Sequence, residues 1–267
     1  MSNAPTIEIN QHWQRFFAQY DEEGIAWHSI VTAYSPNKEL LKTYQFISEF
    51  QANHDRTVIT HTKKSPSPDG NLSETTWQIK QENCNLPDGI MHPASSSRRG
   101  LSFGTVGTAW LSKTLETGQI FSVEILLQHE NKRHTIVLVY SKNGELEKIV
   151  PIREQMGSFP TSEPLPEINA ISGQWVGKQQ LMSPDLKLSP LVEISELVLD
   201  ATGGENETLF FPDRLVVTIP KQVKIGNEFE LGFGAMVSAK KYQRLRVKYD
   251  NYGVFQQLIS EAFYQQT

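Results

Sequence analysis

From Gly24 onward the chain shows the alternating hydrophobic pattern of β-strands and almost no helical periodicity. Short runs rich in β-branched and aromatic residues are bounded by turn residues, which is typical of strands. Two turns are explicit. Residues 130–133 join two apolar strands, and Asn143-Gly144 lies in the next turn, where it supplies the positive φ of a tight hairpin. Consecutive hairpins predict an antiparallel meander and therefore an all-β fold.

The chain divides best at residues 156–169, a segment with three prolines, one glycine and no Lys or Arg. We predict a first domain over residues 1–155, a linker over 156–169 and a smaller second domain over 170–267. The predicted strands are 25–34, 43–52, 56–64, 74–82, 98–104, 108–113, 119–129, 134–141 and 145–153 in the first domain, and 173–182, 191–199, 207–211, 214–219, 227–237, 242–250 and 254–262 in the second.

The segment before Gly24 predicts a short helix. Asn10 is a candidate N-cap. Aromatic residues then follow at helical spacing, which places them on one face: Trp13, Phe16, Phe17 and Tyr20. We expect this helix to pack across the end of a core.

The two halves share sequence features in the same order, which favours an internal duplication. Each half begins with a tryptophan that precedes a Ser-Pro pair by eight residues, and each ends with a tyrosine four residues before a glycine. The matching sets are Trp27, Ser35, Tyr140 and Gly144 in the first half, and Trp175, Ser183, Tyr249 and Gly253 in the second. An open meander would leave sticky edges, and closure into a barrel removes them. We therefore predict two tandem antiparallel β-barrels.

The residues that open each half are similar to a known signature. Gly173-x-Trp175 resembles the Gly-x-Trp motif of lipocalins, and Trp27 matches it with the glycine displaced to Gly24. The run over residues 124–154 and the N-terminal tryptophans resemble an uncharacterised two-domain lipocalin-like (calycin) family, found mainly in cyanobacteria and plastid-bearing lineages. The resemblance covers residues 8–265. It implies that Trp27 and Trp175 plug the closed ends of lipocalin-like barrels.

The resemblance also implies a function. Calycin barrels bind hydrophobic small molecules, and distant relatives, the phycobiliprotein (bilin) lyases, deliver a bilin to a cysteine of a client protein. A bound tetrapyrrole or lipid and a client protein are therefore candidate partners, and no cofactor is required. The family run adds Arg133 and His134 to the candidate ligand-binding residues.

Isolated polar residues in apolar strands supply the other candidates. Glu124 interrupts an apolar strand, where a carboxylate is costly unless it is paired. Arg153 is its candidate partner, because a guanidinium matches a carboxylate. Such a pair either orients a ligand, together with Tyr140, or is structural. Residues 95–100 are expected to form a flexible loop.

In the second half, Arg244, Arg246 and Lys248 alternate with apolar residues, and we expect these basic residues to form a solvated face. If they point inward, Arg246 and Tyr249 are candidate ligand-binding residues. Glu228 and Glu230 could pair with the basic residues in either case.

His129 and His134 flank a turn and are expected to face each other. No further ligands lie nearby, so we predict no metal site. All seven histidines lie at or before residue 134.

Composition excludes several classes of protein. The net charge of −5 argues against capture of nucleic acid, and the single cysteine, Cys84, excludes a disulfide scaffold. No apolar run approaches the ~20 residues that span a bilayer, and the N-terminus resembles no signal peptide. We expect a cytoplasmic protein.

Enzyme motifs such as Gly-x-Ser-x-Gly and His-Glu-x-x-His are missing, so catalysis is not predicted. Three hypotheses follow. The first is non-enzymatic binding of a hydrophobic or amphipathic small molecule. The second is a lyase-like chaperone that transfers a chromophore. The third is an interaction module whose barrels are filled by side chains.

Overall fold

The computed structural model describes residues 4–66, 72–199 and 206–266, and it shows an all-β fold preceded by a short helix. The helical elements are α1 Ala4–Phe17, α2 Gln81–Cys84 and two 3-10 turns, Gly104–Val106 and Pro212–Arg214. The strands of the first half are β1 Ile25–Tyr34, β2 Leu40–Ala52, β3 Val58–Pro66, β4 Leu72–Lys80, β5 Asn85–Leu86, β6 Gly89–His92, β7 Ser95–Ser102, β8 Gly107–Ser112, β9 Phe121–His129, β10 Lys132–Tyr140 and β11 Leu146–Met156. Those of the second half are β12 Trp175–Met182, β13 Val192–Ile194, β14 Asn206–Phe211, β15 Leu215–Pro220, β16 Phe229–Ser238, β17 Lys241–Tyr249 and β18 Phe255–Gln265.

The first half forms an 11-stranded, nearly closed, barrel-like sheet in the order β4-β3-β2-β1-β11-β10-β9-β8-β7-β6-β5. All of its pairings are antiparallel. Strand β1 pairs with β11, so the meander folds back on its own beginning. The edge strands β4 and β5 are joined directly by α2. The predicted strands are present, although only Val192–Ile194 of the strand predicted over 191–199 is formed. The sequence prediction missed the short β5 and β6 and the first residues of β7.

The second half forms a seven-stranded antiparallel sheet in the order β13-β12-β18-β17-β16-β15-β14. Its first long strand again pairs with its last, β12 with β18. One face of this sheet packs against the outer face of the first sheet, and the two share a hydrophobic core. Phe121 of the first sheet packs edge-on against Tyr249 of the second at 5.3 Å between ring centroids, and Tyr249 stacks on Phe229 at 4.7 Å. The division into domains at residues 156–169 stays a prediction.

The hairpin tips of the two halves make the same contacts with the opposite sheet. Val223 donates its N–H to the carbonyl of Gly144 at 2.8 Å, and Leu115 donates its N–H to the carbonyl of Gly253 at the same distance. Both glycines have positive φ, 77° and 72°. The Gly144 tip therefore contacts the segment after β15, and the Gly253 tip contacts the segment after β8, which is the equivalent strand of the first half.

The features shared between the halves occupy equivalent positions. Trp27 pairs with Met156, twelve residues after the tip glycine, and Trp175 pairs with Gln265, also twelve residues after its own. The Ser-Pro turns match as well. Lys38 and Leu186, each three residues after the serine, have positive φ of 64° and 68°.

The N-terminal helix is displaced from its predicted bounds. It begins at Ala4, before Asn10, because Ile9 also packs against the core and the apolar stripe starts earlier than the aromatic face. It ends at Phe17 rather than near Gly24, and Tyr20 donates its N–H back to the Phe17 carbonyl. The expected aromatic face is present. Among the described residues, no helix combines the length and apolarity needed to cross a membrane.

Candidate functional site

A cavity of about 290 Å³ lies on the inner face of the first sheet, where the end of α1 covers it. Strand alternation explains its position. On β9, Val123, Ile125 and Leu127 belong to the shared core, so Glu124 and Leu126 project to the opposite face and line the cavity. The inner face of these strands therefore lines a cavity, whereas the outer face packs against the second sheet.

Aromatic rings form much of the cavity wall. Phe50 stacks on His61 with 4.2 Å between ring centroids. His92 packs edge-on against Trp110 at 5.8 Å, and Phe16 of α1 packs edge-on against the same indole at 5.3 Å. Such a wall offers flat apolar surfaces to a ligand.

Two partly buried histidines form a directional hydrogen-bond chain in this wall. His92 Nδ1 accepts from the Ala94 N–H at 3.1 Å, so a neutral His92 carries its proton on Nε2. That Nε2–H donates to His61 Nδ1 at 3.0 Å, and His61 Nε2 therefore donates to Ser48 Oγ at 3.4 Å. Burial lowers the pKa of His61 to about 3 and that of His92 to about 4, so both rings are uncharged at neutral pH.

Histidines whose pKa is lowered by burial predict a loss of stability in mild acid. Burial also lowers the pKa of His12, on α1, to about 3. Because the unfolded state binds protons near the ordinary pKa of about 6.5, the free energy of unfolding falls as the pH drops below that value. From about pH 7 to about pH 5.5 we expect a loss of about 1 kcal/mol for each of His12, His61 and His92.

Urea denaturation across this pH range measures the loss. His92→Phe keeps an aromatic ring and is expected to reduce the pH dependence by one histidine's share. The same change at His54, whose side chain is 92% exposed, is the matched control and should leave the dependence as it is. An unchanged pH dependence in His92→Phe would show that His92 is not held neutral in the fold.

A fully bonded ion pair forms another part of the cavity wall. Arg133 donates to both oxygens of Glu154, from Nε at 2.7 Å and from Nη2 at 2.6 Å. Thr135 and Ser29 add hydroxyl donors to the same carboxylate at 2.6 and 3.0 Å. The guanidinium also lies over the Trp27 ring, 4.4 Å from its centroid. Burial alone would lower the pKa of Arg133, but the Glu154 charge outweighs it and the net direction is upward.

Glu124 and Arg98 face the same cavity without such bonding. Within the described part of the chain, the Glu124 carboxylate has no hydrogen-bond donor, and burial raises its pKa against the opposing charge of Arg98. Arg98 donates from Nη2 to the Trp110 carbonyl at 3.3 Å, and its Nε is buried without an acceptor. A bound molecule could satisfy both of these groups.

The predicted pairing of Glu124 with Arg153 is wrong. Arg153 forms an ion pair with Asp213 at 2.5 Å and donates to the Ser162 carbonyl at 3.0 Å. The strand register explains why Glu124 does not meet Arg153. Arg153 pairs with His134 and lies on the outer face, whereas its neighbour Glu154 lies on the inner face with Glu124. Burial lowers the pKa of His134, whose neighbours are Arg153 and Asp213. These residues hold the 156–169 segment in place.

Two tyrosine candidates lie between the sheets, away from the cavity. Tyr140 donates its hydroxyl to the Pro220 carbonyl at 3.0 Å, and Tyr249 donates to the Ser112 carbonyl at 2.8 Å. Burial raises the pKa of both, which keeps the hydroxyls protonated as donors. Each tyrosine joins its own sheet to the opposite one.

Arg244 and Arg246 of β17 are buried and do not belong to a solvated face, whereas Lys248 is partly exposed. Arg246 donates to Glu230 at 2.8 Å and to Glu261 at 3.0 Å, while Arg244 donates to Glu261 at 2.6 Å. Arg244 also reaches the Val198 carbonyl at 2.6 Å, so the segment before residue 200 covers this face. The buried network therefore occupies the inner side of the second sheet. The other predicted acid pairs as well, Glu228 with Lys248 at 3.2 Å.

The structure differs from the remaining expectations in local details. Residues 95–100 belong to strand β7 rather than a loop. His129 pairs with Lys132, so it does not face His134. Trp27 and Trp175 are both buried, and Trp175 donates to the Ser172 carbonyl at 3.0 Å. Among the described residues, no group of three or more acidic, His or Cys side chains could hold a metal ion.

His61, His92 and Arg98 line the cavity but were not among the residues predicted to bind a ligand. Alternation carried a signal for His61 and Lys63, because they share a strand face with the buried Ile59. His92 lies in β6, which is too short to show alternation, and Arg98 lies in a segment that was predicted as a loop.

Comparisons with known proteins give a family and a fold. A family model described as "Domain of unknown function (DUF3598), N-terminal" matches residues 9–159. The chain is similar to a crystal structure from Nostoc punctiforme, a DUF3598-family protein of unknown function. That likeness has a TM-score of 0.75 and 19% identity, and it covers 96% of this chain and 99% of that one. At this identity, the likeness shows the fold alone.

Two other solved structures are much weaker matches. A putative AttH from Nitrosomonas europaea has a TM-score of 0.23 and 9% identity, covering 91% of this chain and 93% of that one. A mutant porin from Rh. blastica has a TM-score of 0.19 and 8% identity, covering 90% and 98%. Both TM-scores are too low to support an argument. No curated protein matches the chain.

Proposed function

The chain belongs to the DUF3598 family, described as a domain of unknown function, and we propose that it binds a small amphipathic molecule in the cavity of the first sheet without chemically converting it. The single observation that carries this proposal is the cavity itself, with aromatic walls and a few convergent polar groups. Ligand sites have this composition, because apolar walls supply affinity and the few polar groups set orientation.

The size of the cavity favours a compact ligand. Its volume of about 290 Å³ lies at the lower limit of ligand pockets, which span about 300–1,000 Å³. A bilin or a lipid, the ligand classes implied by the calycin resemblance, would insert part of its length. A single ring system with a polar end would fit as a whole.

The protonation state of His61 supports binding over nucleophilic catalysis. Ser48 and His61 are in contact, as a nucleophile and its base would be. However, His92 donates to His61 Nδ1, so the Nε2 that faces Ser48 carries a proton and cannot accept one. The pair is therefore a hydrogen-bonded wall element in its resting state.

We infer further that the two halves are duplicated copies of one barrel-like fold. The first copy encloses a cavity, and the interior of the second is filled by side chains. Their equivalent tip contacts and first-to-last strand pairings support this inference. The inner face of the second half holds Arg246, Glu230 and Glu261 as a closed ion-pair network. The ligand-binding role therefore belongs to the first half.

A cavity-filling variant tests the proposed function. Leu126 lines the cavity and is 8% exposed, so Leu126→Trp should occupy the space that a ligand needs. The neutral fluorescent probe phenylnaphthylamine is expected to bind the natural protein and to lose at least about tenfold in affinity for the variant. Leu40→Trp, on a site 63% exposed, is the matched control and should bind the probe normally.

The proposal fails if Leu126→Trp folds and binds the probe as the natural protein does, or if neither protein binds it. Expression in a pigment-producing host, followed by an absorption spectrum and a native mass, identifies the ligand class. A spectrum with visible bands would support a tetrapyrrole, and a colourless protein with added mass would support a lipid or another molecule.

A further inference from the structure

The charged groups of the cavity do not balance. Its Lys, Arg and Glu side chains are Lys63, Arg98, Arg133, Glu124 and Glu154. Arg133 and Glu154 neutralise each other in their bidentate pair. The two remaining cations, Lys63 and Arg98, have no acidic side chain at ion-pair distance among the described residues. Glu124 is the remaining carboxylate that lines the cavity with them.

Arg98 and Lys63 differ sharply from their sequence neighbours. Arg99 points to the other side of β7 and has three acceptors, with Asp88 at 2.8 Å and two backbone carbonyls at 2.7 and 2.9 Å. Lys64 points outward and pairs with Glu49 at 2.8 Å. The inward-facing member of each neighbouring pair thus lacks the acidic partner that the outward-facing member has.

The contacts of the inward cations are weak substitutes for an anion. A guanidinium has five N–H donors, and the described contact of Arg98 is one bond of 3.3 Å to a carbonyl. The Lys63 ammonium lies 4.3 Å from the centroid of the Phe46 ring, a cation–π contact. An acid group in the cavity would offer charge-assisted hydrogen bonds to both.

We propose that the molecule bound in this cavity is an anion, an amphipathic acid whose carboxylate or equivalent acid group is received by Arg98 and Lys63 while its apolar body lies against Trp110 and Phe50. This inference rests on the proposed binding function. Glu124 is compatible with it when protonated, since a neutral carboxyl donates a hydrogen bond to an acid group instead of repelling it. Burial favours that state, because it raises the pKa of Glu124.

The proposal gives binding a defined pH dependence. The groups that surround Glu124 are Lys63, Arg98, Arg133, Glu154 and the histidines His61 and His92. The histidines are largely neutral above about pH 5, because burial lowers their pKa values to about 3 and about 4. Affinity for an anion should therefore fall as the pH rises through the raised pKa of Glu124, where that side chain gains its charge.

Two probes that differ in one acid group test the proposal. Anilinonaphthalene sulfonate carries an anionic sulfonate at every pH used, and phenylnaphthylamine is the same ring system without it. We expect Arg98→Gln to weaken the sulfonate roughly ten- to hundredfold and to leave the neutral probe unchanged. Lys63→Gln should weaken binding of the sulfonate probe and not of the neutral probe. Arg99→Gln and Lys64→Gln, which change outward-facing residues, are the matched controls and should leave the binding of both probes unchanged.

Glu124→Gln separates the two signs of ligand charge. If the ligand is an anion, this variant keeps its sulfonate affinity and loses the fall in affinity as the pH rises. If it binds the sulfonate more weakly, or if Arg98→Gln affects both probes equally, the anionic inference is overturned while the proposed binding function stands. If neither probe binds in a manner sensitive to Leu126→Trp, both are overturned.

Discussion

Replacing Arg133 with Met is expected to lower the free energy of unfolding by about 3–5 kcal/mol. The variant leaves the Glu154 carboxylate buried, at 3% side-chain exposure, with only the hydroxyl donors Ser29 and Thr135. Removing one partner of a buried pair is costly because the remaining charge has neither water nor a counter-ion. Urea denaturation at neutral pH, monitored by circular dichroism, measures the change.

A double variant and a surface pair serve as controls. Arg133→Met combined with Glu154→Leu removes both charges and is expected to recover most of the loss, because an apolar pair needs no solvation. Lys64→Met breaks the pair with Glu49, which is partly exposed, and should lower the free energy of unfolding far less than Arg133→Met does. Equal losses in the single and the double variant would show that the cost comes from packing around Arg133 and not from an orphaned charge.

The second large effect is expected at the hairpin tip of the first half. Gly144 has a φ of 77°, and a Cβ at this position would lie 2.0 Å from the Val223 carbonyl oxygen of the opposite sheet. Gly144→Ala therefore combines backbone strain of about 1–2 kcal/mol with a clash of about 1–3 kcal/mol. We expect a total loss of about 2–5 kcal/mol and a weaker contact between the two sheets.

Gly118→Ala is the matched control for the strain alone. Its φ of 79° is nearly the same, and a Cβ there would meet nothing within 4 Å. It should cost only about 1–2 kcal/mol in urea denaturation. If the two alanine variants lose the same free energy, the docking of the Gly144 tip on Val223 does not contribute to stability.

The strands were predictable because their signal is local. Period-two alternation and tight turns identified every long strand of both sheets, and the Asn143-Gly144 turn has the predicted positive φ. The short strands β5 and β6 were not predictable, since two to four residues are too few to show a period. The all-β class and the N-terminal helix with its aromatic face needed no tertiary information.

The candidate site was only partly predictable. Glu124 was identifiable as a carboxylate in an apolar strand, and it does line the cavity. Its supposed partner Arg153 faces the other side, because the pairing of β10 with β11 sets Glu154, not Arg153, on the inner face. Arg244 and Arg246 show the same limit. Alternation placed them on one face, but it could not tell that the segment before residue 200 covers that face.

The amino-acid sequence by itself determined the strands, the turns, the alternation of side chains and the features repeated between the two halves, all of which depend on neighbours a few residues apart. Only the tertiary structure decided which face of each strand lines the cavity and which face packs in the core. It also decided that His61, His92, Arg98 and Glu124, from four different strands, meet around one cavity. The physical reason is that strand alternation fixes two faces, while curvature and strand pairing between distant segments decide which face encloses space and which meets the other sheet.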